Sequence, residues 1–339
     1  MQPFNVIFIN IRRKIKMEEK RMKKVSLILT IIIAIVAVII IGFIIRDLTK
    51  SPYSNPKIPD GFYYVMGEWN TGFVISDSNL DENNPEGNNG NQFVWIPIKD
   101  TKKFKRTASF GDEIVDLNPS YIEPSANDIN YDKMIKSVEK YGGFYIGRYE
   151  TGDADVTEHR TNATETHNAV VKKNQFVYNY VMWGNGEGGA VNISTAMYED
   201  SSSVNSTLVY GIQWDAVMNF IKEDVDLNNS NQWGNYKDSL GYAAQNCGTL
   251  QKTGANEYWK AKNIYDLAGN VGEWTMESNL EKIKIIRGGA YNNNGSSEGY
   301  PVAGRYDNYP TNTNSNVGFR VALYLKWKIF KIFKHLKKI

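Results

Sequence analysis

The chain has 339 residues, 42% of them apolar and 22% charged, enough for one large globular domain or two ordinary ones. A net charge of +2 excludes a general polyanion binder, and a single cysteine, Cys247, excludes an intrachain disulfide framework. With only three histidines, His159, His167 and His335, chemistry built on a histidine cluster is poorly supplied.

In chain order, residues 1–24 form a basic segment that includes Arg12, Arg13, Lys14, Lys16, Lys20, Arg21, Lys23 and Lys24. "VSLILTIIIAIVAVIIIGFII", 25–45, carries no charge and reaches the roughly 20 residues that a helix needs to cross a bilayer. We expect a single-pass anchor at the cell membrane, with a cytoplasmic N-terminus and the remainder extracellular, because the positive flank precedes the span. No small-residue cleavage site follows it, which favours an uncleaved anchor over a removed signal peptide. Residues 46–60 hold three prolines and read as a linker.

"GFYYVMGEWNTGFVISD" alternates as a hairpin does, "DENNPEGNNGNQ" is a surface loop, and "FVWIPI" at 93–98 is a short buried strand. Asn127 or Asp128 can cap a helix running to Tyr141, with Tyr131, Met134, Ile135 and Val138 on one face and Gly142 and Gly143 ending it. The polar stretch 151–175 reads as loop, which makes His159 and His167 solvated residues. A second helix spans about 212–223. From 241 to 325 short apolar pieces alternate with Gly and Asn turns, and no repeat is evident.

The blocks "FVWIPI", "GGFYIGRYETG", "YGIQWDAVMNFI", "NIYDLAGNVGEWT", "IIRGGAY" and "NVGFRVAL" occur in this order. In them the chain resembles the formylglycine-generating-enzyme (sulfatase-modifying factor) domain, over roughly 61–325, in what looks like a bacterial membrane-anchored branch. The resemblance implies an α+β fold, a variant of the C-type-lectin fold with few helices, short strands and long loops, here preceded by one transmembrane helix. It also implies structural Ca²⁺ held by the side chain of Asp266, the carbonyls of Gly269 and Val271, and the carboxylate of Glu273. Ca²⁺ prefers such mixed carboxylate and carbonyl oxygens, and a cation would offset two carboxylates in an apolar segment. The competing reading is that Asp266 caps a turn and Glu273 pairs with an arginine. Gly272 stands where the family carries Trp, which is expected to loosen the turn. The family's matching arginines, here Arg287 and Arg320, are structural.

The oxidases of this family depend on a copper-binding cysteine pair after the "RGG" strand. The matching stretch here, Asn292 to Arg305, contains no cysteine. Cu(I) requires soft thiolate, so neither copper nor formylglycine synthesis is expected. The histidines lack the spacing of a facial iron site, so iron is not expected either. No G-x-S-x-G, P-loop or HExxH is present, and no catalytic residue is nominated. A metal-dependent oxidoreductase with an unrecognised site stands as the alternative.

The variable proteins of diversity-generating retroelements resemble the same family. They carry exposed Tyr, Asn, Ser and Asp between the same anchors. Here Tyr291, Asn292, Asn293, Asn294, Tyr300, Tyr306, Asp307, Asn308, Tyr309, Asn312 and Asn314 have that composition. Such residues combine large, low-entropy contact area with adaptable hydrogen bonding. We expect them to bind an extracellular ligand, protein or glycan. The tail 326–339, with Trp327, Phe330, Phe333, Leu336 and Ile339 among lysines, suits a basic amphipathic helix on an anionic surface. Nucleic acid is not an expected partner.

Overall fold

The computed structural model describes the backbone of residues 3–48 and, from 51 on, all residues except 108, 111–112, 115–121, 125–127, 164–165, 185, 187, 280–282 and 328–339. The tail positions Phe330, Phe333, Leu336 and Ile339 lie outside the described residues. The chain divides into two compact units, Met1–Ser51 and Pro52–Ile339.

The first unit is one helix, α1 (Pro3–Leu48). Helical structure therefore runs through the basic segment and past Ile45. Arg12–Gly42 is long and apolar enough to cross a membrane, and a secretory signal sequence would have the same properties.

The second unit begins before the expected domain start at 61. Trp95 donates its indole N–H to the Tyr53 carbonyl at 2.9 Å, and Tyr145 donates its hydroxyl to the Lys57 carbonyl at 3.1 Å. Most of the expected linker is thus docked against the domain.

The frame is a six-stranded antiparallel sheet of β1 (Tyr63–Met66), β2 (Val74–Ser76), β3 (Gln92–Pro97), β4 (Gly143–Gly147), β5 (Val204–Leu208) and β10 (Val321–Leu325). Its strand order is β1-β2-β3-β4-β10-β5. The first and last parts of the domain thus meet at its centre. Strand alternation divides the core into two. Val94, Ile96, Phe144, Ile146, Ala322 and Tyr324 point to one side, where they meet α2 (Ile129–Tyr141) and α4 (Gly211–Ile221) through Met134, Val138, Trp214, Val217 and Met218. Phe93, Trp95, Tyr145, Val321 and Leu323 point to the other, against Trp274, Ile286 and Phe319.

Helix α2 begins where the Asp128 carboxylate accepts the N–H groups of Asn130 and Tyr131, and ends at Gly142 with φ +74°. Both ends follow from ordinary capping chemistry. A short α3 (Ala190–Ala196) completes the helices among the described residues.

The second sheet, ordered β8-β7-β6-β9, contains β6 (Gly272–Ser278), β7 (Lys284–Arg287), β8 (Tyr306–Asn308) and β9 (Val317–Phe319). β6 runs parallel to β9 and antiparallel to β7, so the "GEW", "RGG" and "GFR" segments lie side by side. Gly269, at φ +77°, brings its backbone against Asn235, whose carbonyl oxygen would lie 2.0 Å from any Cβ. No other residue fits there.

Stretch 151–175 is not plain loop: Gly152–Asp153 pairs with Ala169–Val170 and with Phe176–Val177. Nor are its histidines solvated. His167 Nδ1 lies 2.7 Å from the buried Asp153 carboxylate, which also accepts from Arg160 at 2.6 Å, and His159 packs edge-on against Phe176.

Candidate functional site

The residues that opened the metal question form a buried charge cluster around Arg320. Glu150 follows β4, Glu273 lies in β6, and Asp266 and Asn270 occupy turns at φ +57° each. Arg320, between β9 and β10, donates Nε to both oxygens of Glu273 at 2.9 and 3.0 Å and Nη2 to one of them at 2.6 Å. Its remaining donors reach the Gly147 carbonyl at 3.0 Å and the Tyr265 carbonyl at 2.9 Å. One guanidinium thus fastens both sheets to the turn between them, which is what its planar fork of donors allows. Glu150 accepts from the Asn270 side chain at 2.5 Å and the Val271 N–H at 3.1 Å. Asp266 accepts the Gly254 N–H at 2.6 Å through Oδ2, while its Oδ1 is buried with no hydrogen-bond partner.

Three carboxylates thus share one directly paired cation. Burial, followed by the charges of Asp266 and Glu273, holds Glu150 well above the usual carboxylate range. Burial lifts Asp266 to about 7 and also raises Glu273. Burial disfavours the Arg320 charge, but Glu273, Glu150 and Asp266 together outweigh it and the guanidinium is raised. Protonation at Glu150 and Asp266 is how such a site limits uncompensated charge.

The expected Ca²⁺ ligands are therefore close in space but differently employed. Asp266, Gly269 and Val271 lie on the turn as expected, yet both oxygens of Glu273 face Arg320. Among the described residues no group of three or more His, Cys, Asp or Glu side chains is placed to hold a metal ion. In this arrangement the carboxylate of Glu273 is engaged by Arg320 and not turned toward Asp266 and the turn carbonyls. A Cβ at Gly272 would lie 2.7 Å from Ile286, whose side chain fills the space a larger residue would need.

A second charge cluster sits beneath the "RGG" strand and escaped sequence reading, because its members are far apart in the chain. Arg287, completely buried, donates to the Gly304 carbonyl at 2.7 Å, the Ala303 carbonyl at 3.1 Å and Asp215 at 3.1 Å. Arg305 bridges Asp215 at 2.5 Å and Glu277 at 3.0 Å, and Arg106 reaches Glu277 at 2.6 Å. Glu123 accepts the Ile212 N–H at 2.5 Å at the start of α4. Burial, with Glu277 adding to it, lifts the Glu123 carboxyl to about 8.

This gives a pH prediction with a definite sign. Glu123 holds its proton in the folded state from about 4.5 up to about 8. Its stabilising contribution is full below 4.5 and is lost as pH rises through about 8. Glu123→Gln keeps the acceptor for Ile212 but removes the titration. Thermal melts between pH 5 and 9 should show a smaller decline for this variant than for the parent, and parallel profiles would refute the assignment.

The loops expected to bind ligand lie directly over this cluster, but not all of their residues are free. Tyr309 is 63% exposed and Tyr300 43% exposed. Asn292, Asn294, Asp307 and Asn314 are exposed as well, and Tyr291 is half-buried. Tyr306 is different. Its ring packs against Tyr300 with centroids 4.4 Å apart, and its hydroxyl lies within hydrogen-bond reach of the Gly299 and Pro301 carbonyls at 3.4 and 3.3 Å. Asn293 caps its own turn by accepting the Ala290 N–H at 3.0 Å, and Asn308 and Asn312 bond one another at 2.5 Å. Tyr306, Asn293, Asn308 and Asn312 thus build the surface, Asn292 and Asp307 accept from Asn316 at 3.1 Å and from Asn279 at 3.3 Å, and Tyr300, Tyr309, Asn294 and Asn314 remain to be presented on it.

A two-sheet α+β scaffold whose "GEW", "RGG" and "GFR" strands are pinned by two buried arginines defines the class of this domain. Residues 209–325 match the model of the sulfatase-modifying factor enzyme 1-like domain. No curated protein matches the sequence significantly. Among solved structures, Treponema denticola variable protein 1 is similar, with 13% identity and a TM-score of 0.38, the match covering 69% of this chain and 96% of that one. A crystal structure of CarF is similar at 14% identity and a TM-score of 0.33, covering 55% of this chain and 87% of that one. At these TM-scores the likeness supports no finer correspondence.

Proposed function

We propose that the chain is a single-pass, cell-surface binding protein, with residues 25–45 as its anchor and the loops of 291–316 as its contact surface. It is not an oxidase. The observation that carries this is chemical: the stretch Asn292–Arg305, where the family's oxidases place their thiol pair, has no sulfur and instead displays Tyr and Asn on a rigid, arginine-pinned base. Rigid aromatic side chains above a fixed backbone lose little entropy on binding. Structural Ca²⁺ at Asp266, Gly269, Val271 and Glu273 is a subsidiary proposal, supported by the unpartnered Asp266 Oδ1; it requires Glu273 to turn away from Arg320.

The test is to probe arrays of glycans and of surface proteins with the full chain and with a Tyr300→Ala/Tyr309→Ala variant. Loss of one well-placed aromatic anchor costs 2 kcal/mol or more at the centre of an interface, so binding should fall by roughly thirtyfold. The melting temperature should be unchanged, because both rings are exposed. Undiminished binding, or a destabilised variant, would count against this surface. Tyr306→Ala is not a clean probe, since its ring supports Tyr300.

A further inference from the structure

The β1–β2 turn, the segment after β3 and the C-terminal half of α4 enclose an open cleft of about 630 Å³. Its apolar surfaces are Trp69, Phe104 and Phe220. Trp69 is braced from behind by Tyr53, edge to face at 5.4 Å. Phe220 carries the ammonium of Lys262 at 5.2 Å from its centroid. Lys262 is itself fixed, at φ +45°, by the Asn70 carbonyl at 3.0 Å and by Asp224 at 2.8 Å.

The rest of the rim is cationic. Lys99, Lys103, Lys105 and Lys222 also line the cleft, against Asp100 and Glu223. Lys99 stands 5.5 Å from the centre of the Trp69 ring. Among the described residues, none of these four lysines has a carboxylate within salt-bridge distance, whereas Lys262 is already neutralised. Asp100 caps the turn that carries the lysines by accepting the Lys102 N–H at 3.0 Å; it and Glu223 keep their negative charges, so the four lysines outnumber the carboxylates of the lining two to one. Four ammonium groups with no carboxylate partner among the described residues, around aromatic surfaces in a cleft of ligand size, are complementary to an anion with apolar faces. The rim contains lysine and no arginine. Planar phosphate or paired carboxylate recognition, as in nucleic-acid sites, favours the guanidinium fork; separate point charges suit separate single anions.

We propose that this cleft binds an acidic saccharide, its sugar rings lying on Trp69 and Phe220 and its sulfate, phosphate or carboxylate groups on Lys99, Lys103, Lys105 and Lys222. The site shares no residue with the tyrosine surface, so either can fail without the other.

The full chain in non-ionic detergent is titrated with a sulfated oligosaccharide, a neutral oligosaccharide of equal length and a short single-stranded oligonucleotide. The sulfated sugar should bind, with an affinity that falls as salt rises, and the neutral sugar should not. Lys99→Glu/Lys103→Glu/Lys105→Glu should weaken binding by about tenfold or more at an unchanged melting temperature. Trp69→Ala should weaken it while leaving the salt dependence in place. Should the triple variant misfold, Lys103→Glu alone carries the same expectation in smaller degree. The proposal is overturned if the sulfated sugar fails to bind at about 1 mM, if the neutral sugar binds equally well, if the oligonucleotide binds more tightly, or if the lysine variants bind as the parent does.

Discussion

Replacing Arg320 with methionine should cost the domain about 3–5 kcal/mol, the penalty for breaking a buried ion pair by removing one partner. For a domain of this size that is a fall of roughly 10 °C in melting temperature. The size follows from what the guanidinium touches: both oxygens of Glu273, the Gly147 carbonyl at the end of β4 and the Tyr265 carbonyl. Without it Glu273 joins Glu150 and Asp266 as a third buried carboxylate with no paired cation. Arg320→Met/Glu273→Leu should recover much of the loss, because an apolar pair of similar volume replaces a charge pair at little cost. A double variant no better than the single would mean that the backbone contacts, and not the ion pair, hold this point together.

Arg287→Met should cost a similar 3–5 kcal/mol, through a different route. Arg287 satisfies two carbonyls, those of Ala303 and Gly304, in the very segment that presents Tyr300 and Tyr306. Its loss leaves those carbonyls buried without a donor and shifts the balance of the cluster toward Asp215 and Glu277. Burial and the nearby Arg305 lower Arg287 only to about 10, so it is charged at neutral pH and the pair with Asp215 is real there. Calorimetric melts would show the loss, and hydrogen exchange should rise first in 299–306. A variant as stable as the parent, with protection intact in that loop, would contradict the role assigned to this cluster. Arg287→Lys should not rescue, since one ammonium cannot bond two carbonyls and a carboxylate in these directions.

What the sequence disclosed and what it withheld follow a physical line. Local chemistry was legible: Asp128 as a cap, Gly142 as a stop, and the alternation in 93–97 that sends Phe93 and Trp95 one way and Val94 and Ile96 the other. The motif resemblance placed Arg287 and Arg320 correctly as ties between strands. Long-range pairing was not legible. Arg305 meets Asp215 from 90 residues away, and Arg320 meets Glu273 from 47. The polarity of 151–175 concealed that Asp153 gathers Arg160 and the half-buried His167 around its own buried carboxylate. The same limit made Glu273 look available to a cation. Its partner arginine lay in another motif, and only the parallel pairing of β6 with β9 brings the two together.

In the function proposed above, a scaffold similar to the sulfatase-modifying factor domain serves for binding, without oxidase chemistry. The most direct test adds Cu(I) to the purified full chain with a cysteine-containing peptide and oxygen, and measures tightly bound copper together with oxygen uptake. No stoichiometric copper and no uptake above the protein-free rate are expected. Copper retained through dialysis, with oxygen consumed as the peptide thiol is converted, would contradict it.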